Sequence, residues 1–145
     1  MDIPDDIHQH VLGIARAIAE ASSAGDTRAQ WQLHGQLREF CQAMADAGRD
    51  HPFLWETLAD FTRDDRVAIG LYQRALLQVR QLGSAEAEAS ICMELAQRHL
   101  VLAEPAIAYA FALRADDAAR LTDDLPLRQR VSQFLLDHSV DDPQG

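Results

Sequence analysis

An all-α fold follows from three features of this 145-residue sequence. Apolar residues recur every three or four positions in seven successive stretches, the spacing of one buried helical face. Glycine and proline fall mostly at the edges of those stretches. Alanine is abundant and aromatic residues are only 6%, a composition that lets helices approach closely. At this length, with 48% hydrophobic residues, the chain can form one domain with its own core. Residues 1–138 are read as that domain and 139–145 as an acidic flexible tail.

The first pattern opens on Pro4, with Asp5 and Asp6 at the positive end of the helix dipole. Ile7, Val11, Ile14, Ile18 and Ala21 share one face, and Gly25 stops the run. Thr27 and Gln30 have the spacing of a capping box for the second helix. Its apolar face is assigned to Trp31, Leu33, Leu37, Phe40, Cys41 and Met44. Asp50-His51-Pro52 marks a boundary, because the residue before proline avoids helical torsions while proline suits a first turn. Leu54, Trp55, Leu58, Ala59 and Phe61 then form the face of a third helix. After Arg63-Asp64-Asp65, a fourth carries Val67, Ala68, Leu71, Tyr72, Ala75, Leu76 and Val79, the clearest 3.6-residue stripe in the chain.

Gly83-Ser84 combines a C-terminal stop with an N-cap. The fifth helix, about Ala85 to Leu102, turns Ile91, Cys92, Leu95, Ala96, His99 and Leu102 inward. Glu104-Pro105 starts the sixth, whose AIAYAFAL segment is apolar all round, which predicts a central position against helices four, five and seven. Thr122-Asp123-Asp124 begins a seventh, with Pro126 in its first turn and Leu127, Val131, Phe134 and Leu135 inward. Three antiparallel hairpins and a capping helix result.

Thirteen basic against 23 acidic side chains give a net charge of −10. The imbalance holds throughout: 8 acidic and 4 basic residues in 1–50, 7 and 5 in 51–100, 8 and 4 in 101–145. A chain negative in every third repels phosphate backbones and anionic membrane surfaces, so the expected partner is another protein with a basic segment, not nucleic acid or membrane. Every basic residue is Arg, and neither Lys nor Asn occurs, a usage that fits a bacterial gene of high G+C content. Cys41 and Cys92 lie inside apolar patterns and read as reduced core thiols. An acidic N-terminus unlike a secretory signal, and no stretch of membrane-spanning length, lead to a cytoplasmic expectation.

Catalytic patterns do not emerge. His8 and His10 point to different sides of a helix, and His34, His51, His99 and His138 are scattered, so no metal site is expected. No glycine-rich phosphate loop is present, and Ser84 and Ser90 have no His and carboxylate at a motif spacing. Asp64-Asp65, Asp116-Asp117 and Asp123-Asp124 are accounted for by capping. No cofactor is expected.

Between Trp55 and Leu76 the residues resemble one unit of a tetratricopeptide repeat, whose signature is W-x2-L-G-x2-Y on a first helix and A-x3-F/Y-x2-A on a second, with a period of about 34 residues. Trp55, Leu58 and Ala59 match the first part; Ala68, Tyr72, Ala75 and Leu76 match the second. In the next unit Leu95-Ala96 takes the Leu-Gly place, and Ala108, Ala112 and Ala115 the small positions. Leu58 to Leu95 spans 37 positions and Ala68 to Ala108 spans 40, Thr62 stands where the signature has Tyr, and the first hairpin has only Leu12-Gly13 in register. Over roughly Pro52 to Arg120 the chain resembles a divergent array.

The resemblance implies a concave groove lined by the first helices of successive hairpins. By register, that face holds Phe53, Glu56 and Asp60 on one helix and Ser90, Met93 and Gln97 on another. An aromatic, a flexible Met and two carboxylates suit an apolar and basic segment. On the outer side of the fourth helix, Arg66, Arg74 and Arg80 form a basic stripe, read either as solvated or ion-paired or as a docking patch for an acidic segment. The expected function is a small non-enzymatic adaptor, in a narrower form an inhibitor or immunity protein for a basic toxin or effector. A secretion-type chaperone, and a helical-bundle enzyme or small-ligand binder, are the alternatives.

Overall fold

The computed structural model describes residues 2–139, in seven helices: α1 (Asp5–Ser23), α2 (Thr27–Asp46), α3 (Pro52–Asp60), α4 (Asp65–Leu82), α5 (Ala85–Val101), α6 (Pro105–Ala119) and α7 (Leu125–Asp137). No strand occurs among the described residues, and the expected tail lies outside them from Val140 onward. Helices adjacent in sequence pack together. α1 lies on α2, α3 on α4 and α5 on α6 as hairpins, α4 lies on α5 and α2 on α3, and α7 closes the far end against α6 and α5. No helix among the described residues is long and apolar enough to cross a membrane.

Helix ends are set by local chemistry. Asp64, Ser84 and Asp124 cap α4, α5 and α7 by accepting from Val67, Ala87 and Leu127 N–H. The cap of α2 differs from the capping box read at Thr27: Asp26 accepts from Ala29 N–H at 3.0 Å, and Thr27 is the first helical residue. Gly25, at φ 70°, completes the preceding turn with Asp26 N–H on the Ala21 carbonyl, which leaves Asp26 as the first side chain able to cap.

The same turn ends α5 without a glycine. Glu104 N–H bonds the His99 carbonyl at 2.9 Å and Ala103 N–H the Leu100 carbonyl at 3.0 Å, while Ala103 takes φ 59°. A β-carbon is disfavoured in that left-handed conformation, so Ala103→Gly is expected to stabilise the protein by about 0.5–1 kcal/mol after allowing for the greater chain freedom of glycine when unfolded. Urea unfolding of the two proteins checks this.

The core is continuous through the hairpins. Leu54, Trp55, Leu58 and Ala59 of α3 meet Ala68, Tyr72, Ala75 and Val79 of α4, and Ile91, Cys92, Leu95 and Ala96 of α5 extend the cluster. Cys41 and Cys92 are free and fully buried; burial pushes their thiols up to about 12 and about 11, so both stay protonated at neutral pH.

Three inward assignments are corrected. Trp31 is 77% exposed: six positions before Leu37, it lies about 120° away from the buried stripe. Val67, in the first turn of α4, is 55% exposed, and Ile69 is buried there instead. Nor is α6 central. It packs on α5 and α7 through Ala108, Ala112, Ala115, Ala118 and Ala119, makes no substantial contact with α4, and leaves Ile107 and Leu113 near half exposed. One alanine stripe suffices for close approach, and the remaining small side chains face water at little penalty.

Candidate functional site

Residues of α3, α5 and α7 meet at one cleft. Glu56 of α3, Ala87 and Ser90 of α5, and Leu127 and Arg130 of α7 line a cleft of about 570 Å³. One turn beyond Glu56, Asp60 opens onto a second cleft of about 560 Å³ that reaches Ile18 and Ser22 of α1 and Arg98 of α5. At the face expected of the helices that open the hairpins there are thus two clefts, one between α3, α5 and α7 and one between α1, the end of α3 and α5.

Of the residues assigned to that face, Glu56 and Ser90 come together in the first cleft and Asp60 borders the second. Phe53 is half-buried, packed on the core with its ring 5.5 Å from that of His8. Gln97 is exposed and lines neither cleft. Met93 is fully buried and offers nothing to a partner; it falls three residues after Ser90, where α5 has already rotated into the core.

The carboxylates carry the electrostatics. Burial, reinforced by the charges of Asp60 and Glu94, pushes the Glu56 carboxyl up to about 7. Asp60 is open to solvent yet flanked by the cleft walls. Desolvation raises its pKa, opposed by a hydrogen bond from the buried Tyr72 hydroxyl at 2.5 Å, and Glu94 adds repulsion that Arg98 offsets. At the other rim Glu86 hydrogen-bonds Asp124, which raises the Glu86 pKa. The nearby cations are already engaged: Arg130 pairs with Glu94 at 3.0 Å, and Arg98 with Asp65 at 3.0 Å and the Ala59 carbonyl at 3.2 Å. Negative charge is thus left over along the cleft floor. Among the described residues no three His, Cys, Asp or Glu side chains converge as metal ligands would.

Sequence reasoning missed Glu86, Glu94, Asp124, Arg98 and Arg130. Glu86, Ser90 and Glu94 stand at i, i+4 and i+8, one face of α5, and that register was legible. The approach of α7 was not, because it depends on packing at the end of the array.

The stripe of α4 is fully paired. Arg66 bonds Glu104 at 2.9 Å, and Glu104 also bonds His99 Nδ1 at 3.0 Å. Arg80 pairs with Glu88 at 2.9 Å. Arg74 pairs with Asp50 at 3.3 Å and lies 3.6 Å over the centre of the Trp55 ring, whose Nε1–H donates to Asp50. These cations tie helices together.

No protein-family model matches the chain, and no curated protein and no solved structure is significantly similar to it.

Proposed function

We propose that this protein is a non-enzymatic protein-binding module, an irregular tetratricopeptide-like array that receives a basic segment of another protein along the recessed face of α3, α5 and α7. Glu56 carries the reading. It sits half-buried in an open cleft, beside Asp60 and Glu94, with the adjacent arginines committed to other acids. A carboxylate so placed opposes folding when charged, and an entering ammonium or guanidinium relieves both its desolvation and the repulsion of its neighbours. Size suits the role as well, since a cleft of about 570 Å³ accepts a long cationic side chain with its flanking backbone.

Affinity capture from the native cell, with the wild type beside Glu56→Arg and Glu86→Arg variants, tests this. The expected result is a partner with a basic segment that is retained by the wild type and lost from both variants, whose helical circular dichroism is unchanged. Equal retention by all three proteins would remove the cleft as the binding site.

A further inference from the structure

A second recess of different character lies where the first hairpin meets the second. It encloses about 400 Å³ between α2 and the turn from α3 to α4. Its apolar surface comes from Ile18, Trp31, Phe61 and Val67. Two of these, Trp31 at 77% and Val67 at 55% exposure, are large side chains left open to water on the one recess. Exposed aromatic and branched residues grouped around one concavity mark a contact surface far more often than a solvated one.

The charge at this recess is the reverse of that in the acidic cleft. Arg38 and Arg63 line it. Among the described residues, ion pairs hold seven of the thirteen arginines. Among the described residues Arg38 has no acidic partner, and Arg63 bonds only the Gln30 amide oxygen at 2.7 Å. The one carboxylate of the lining, Asp64, is turned to the Val67 N–H as the cap of α4. His34 adds no charge. The Thr62 hydroxyl donates to the Leu58 carbonyl, so it accepts from His34 Nε2–H at 3.1 Å, and desolvation together with Arg38 keeps the imidazole neutral. Two guanidinium groups against the single Asp64 carboxylate therefore leave a local excess of one positive charge beside an apolar floor, in a chain of net charge −10.

We propose that this recess is a second docking surface, which takes a segment of a partner protein carrying a bulky apolar side chain next to carboxylates. The apolar residue seats between Trp31, Phe61 and Val67, and the carboxylates meet Arg38 and Arg63. Charge complementarity selects this occupant. A second copy of an acidic chain suffers net repulsion, and a basic segment meets two unpaired guanidinium groups. Failure at this surface is distinguishable from failure of the cleft that holds Glu56, because those two share no residue, whereas Ile18, Gln30, Phe61, Thr62 and Arg63 are common to this recess and the cleft bordered by Asp60.

The test uses the full chain and two defined peptides, one with Phe and Leu among Glu residues and one with Lys in place of each Glu, each followed by anisotropy of a terminal dye and by Trp31 emission. The acidic peptide is expected to bind, less tightly as salt is added, and to shift Trp31 emission to the blue, while the Lys peptide neither binds nor shifts it. Trp31→Ala and the Arg38→Glu, Arg63→Glu double variant are each expected to weaken binding by about tenfold or more. Trp31 and Arg38 are exposed, so the fold survives, and an unchanged melting midpoint verifies it. Equal binding of both peptides, wild-type affinity in the variants, or loss only on Glu56→Arg would overturn the proposal. So would a concentration-dependent dimer abolished by Trp31→Ala, which would make a second copy the occupant, or phenylacetate producing the same blue shift as the peptide, which would make it a small-molecule pocket.

Discussion

Trp55→Ala is expected to destabilise the protein by about 3–5 kcal/mol, the usual range for removing a buried aromatic. Trp55 is 3% exposed, and its loss acts in two ways. A cavity opens between α3 and α4, and Asp50 loses a donor. Although burial pushes the Asp50 carboxyl up, hydrogen bonds from Trp55, Gln78 and Arg74 hold it below the usual carboxylate value. Arg74 also loses the ring it stacks on. Trp55→Phe separates the contributions, since it keeps most of the apolar volume and removes the N–H. Urea unfolding followed by far-ultraviolet circular dichroism measures both, and an unchanged midpoint in Trp55→Ala would refute the assignment of this residue to the core.

Glu56→Gln is expected to act in the opposite direction, and only above acidic pH. In the fold its carboxyl is pushed up to about 7 from an ordinary value of 4.5. Between those two values the folded protein holds a proton that the unfolded chain has released, so stability falls as pH rises through the window and the full penalty remains above it. Each tenfold change in proton affinity is worth roughly 1.4 kcal/mol, so with partial solvent access, removing the charge should stabilise the protein by about 2 kcal/mol at pH 8 and by nothing near pH 4. The difference between wild-type and variant urea midpoints across that range isolates Glu56 from other titrations. A gain independent of pH would place the repulsion elsewhere. The same substitution should weaken binding of a basic partner, so stability and recognition pull against each other at one residue.

Local chemistry makes the helices legible before their packing. Pro52, Pro105 and the Gly83-Ser84 pair put breaks where the backbone requires them, and α3, α5 and α6 start at the expected positions. The face of α4 is also readable, because Ala68, Tyr72, Ala75 and Val79 keep a strict helical period. Where the pattern misleads, small or terminal residues are the cause. Alanines in AIAYAFAL count as apolar on every side although exposure of a methyl group is tolerated, and the hydrophobicity of Trp31 and Val67 points inward where helix rotation turns them out. Half of the candidate site is visible in the same way. Glu56 and Ser90 follow from register on their own helices, whereas Met93 needs the rotation of α5 to show it buried, and Arg130 needs the docking of α7.

Because the substantial interfaces join helices that are neighbours or next-but-one in the chain, little of the structure waits for a distant segment. Such topology has short loops to close, and closure entropy is what slows folding when contacts are remote. Each hairpin can zip as it forms and then template the next, so assembly proceeds along the chain. The packing that leaves one face recessed also makes this a chain able to fold quickly.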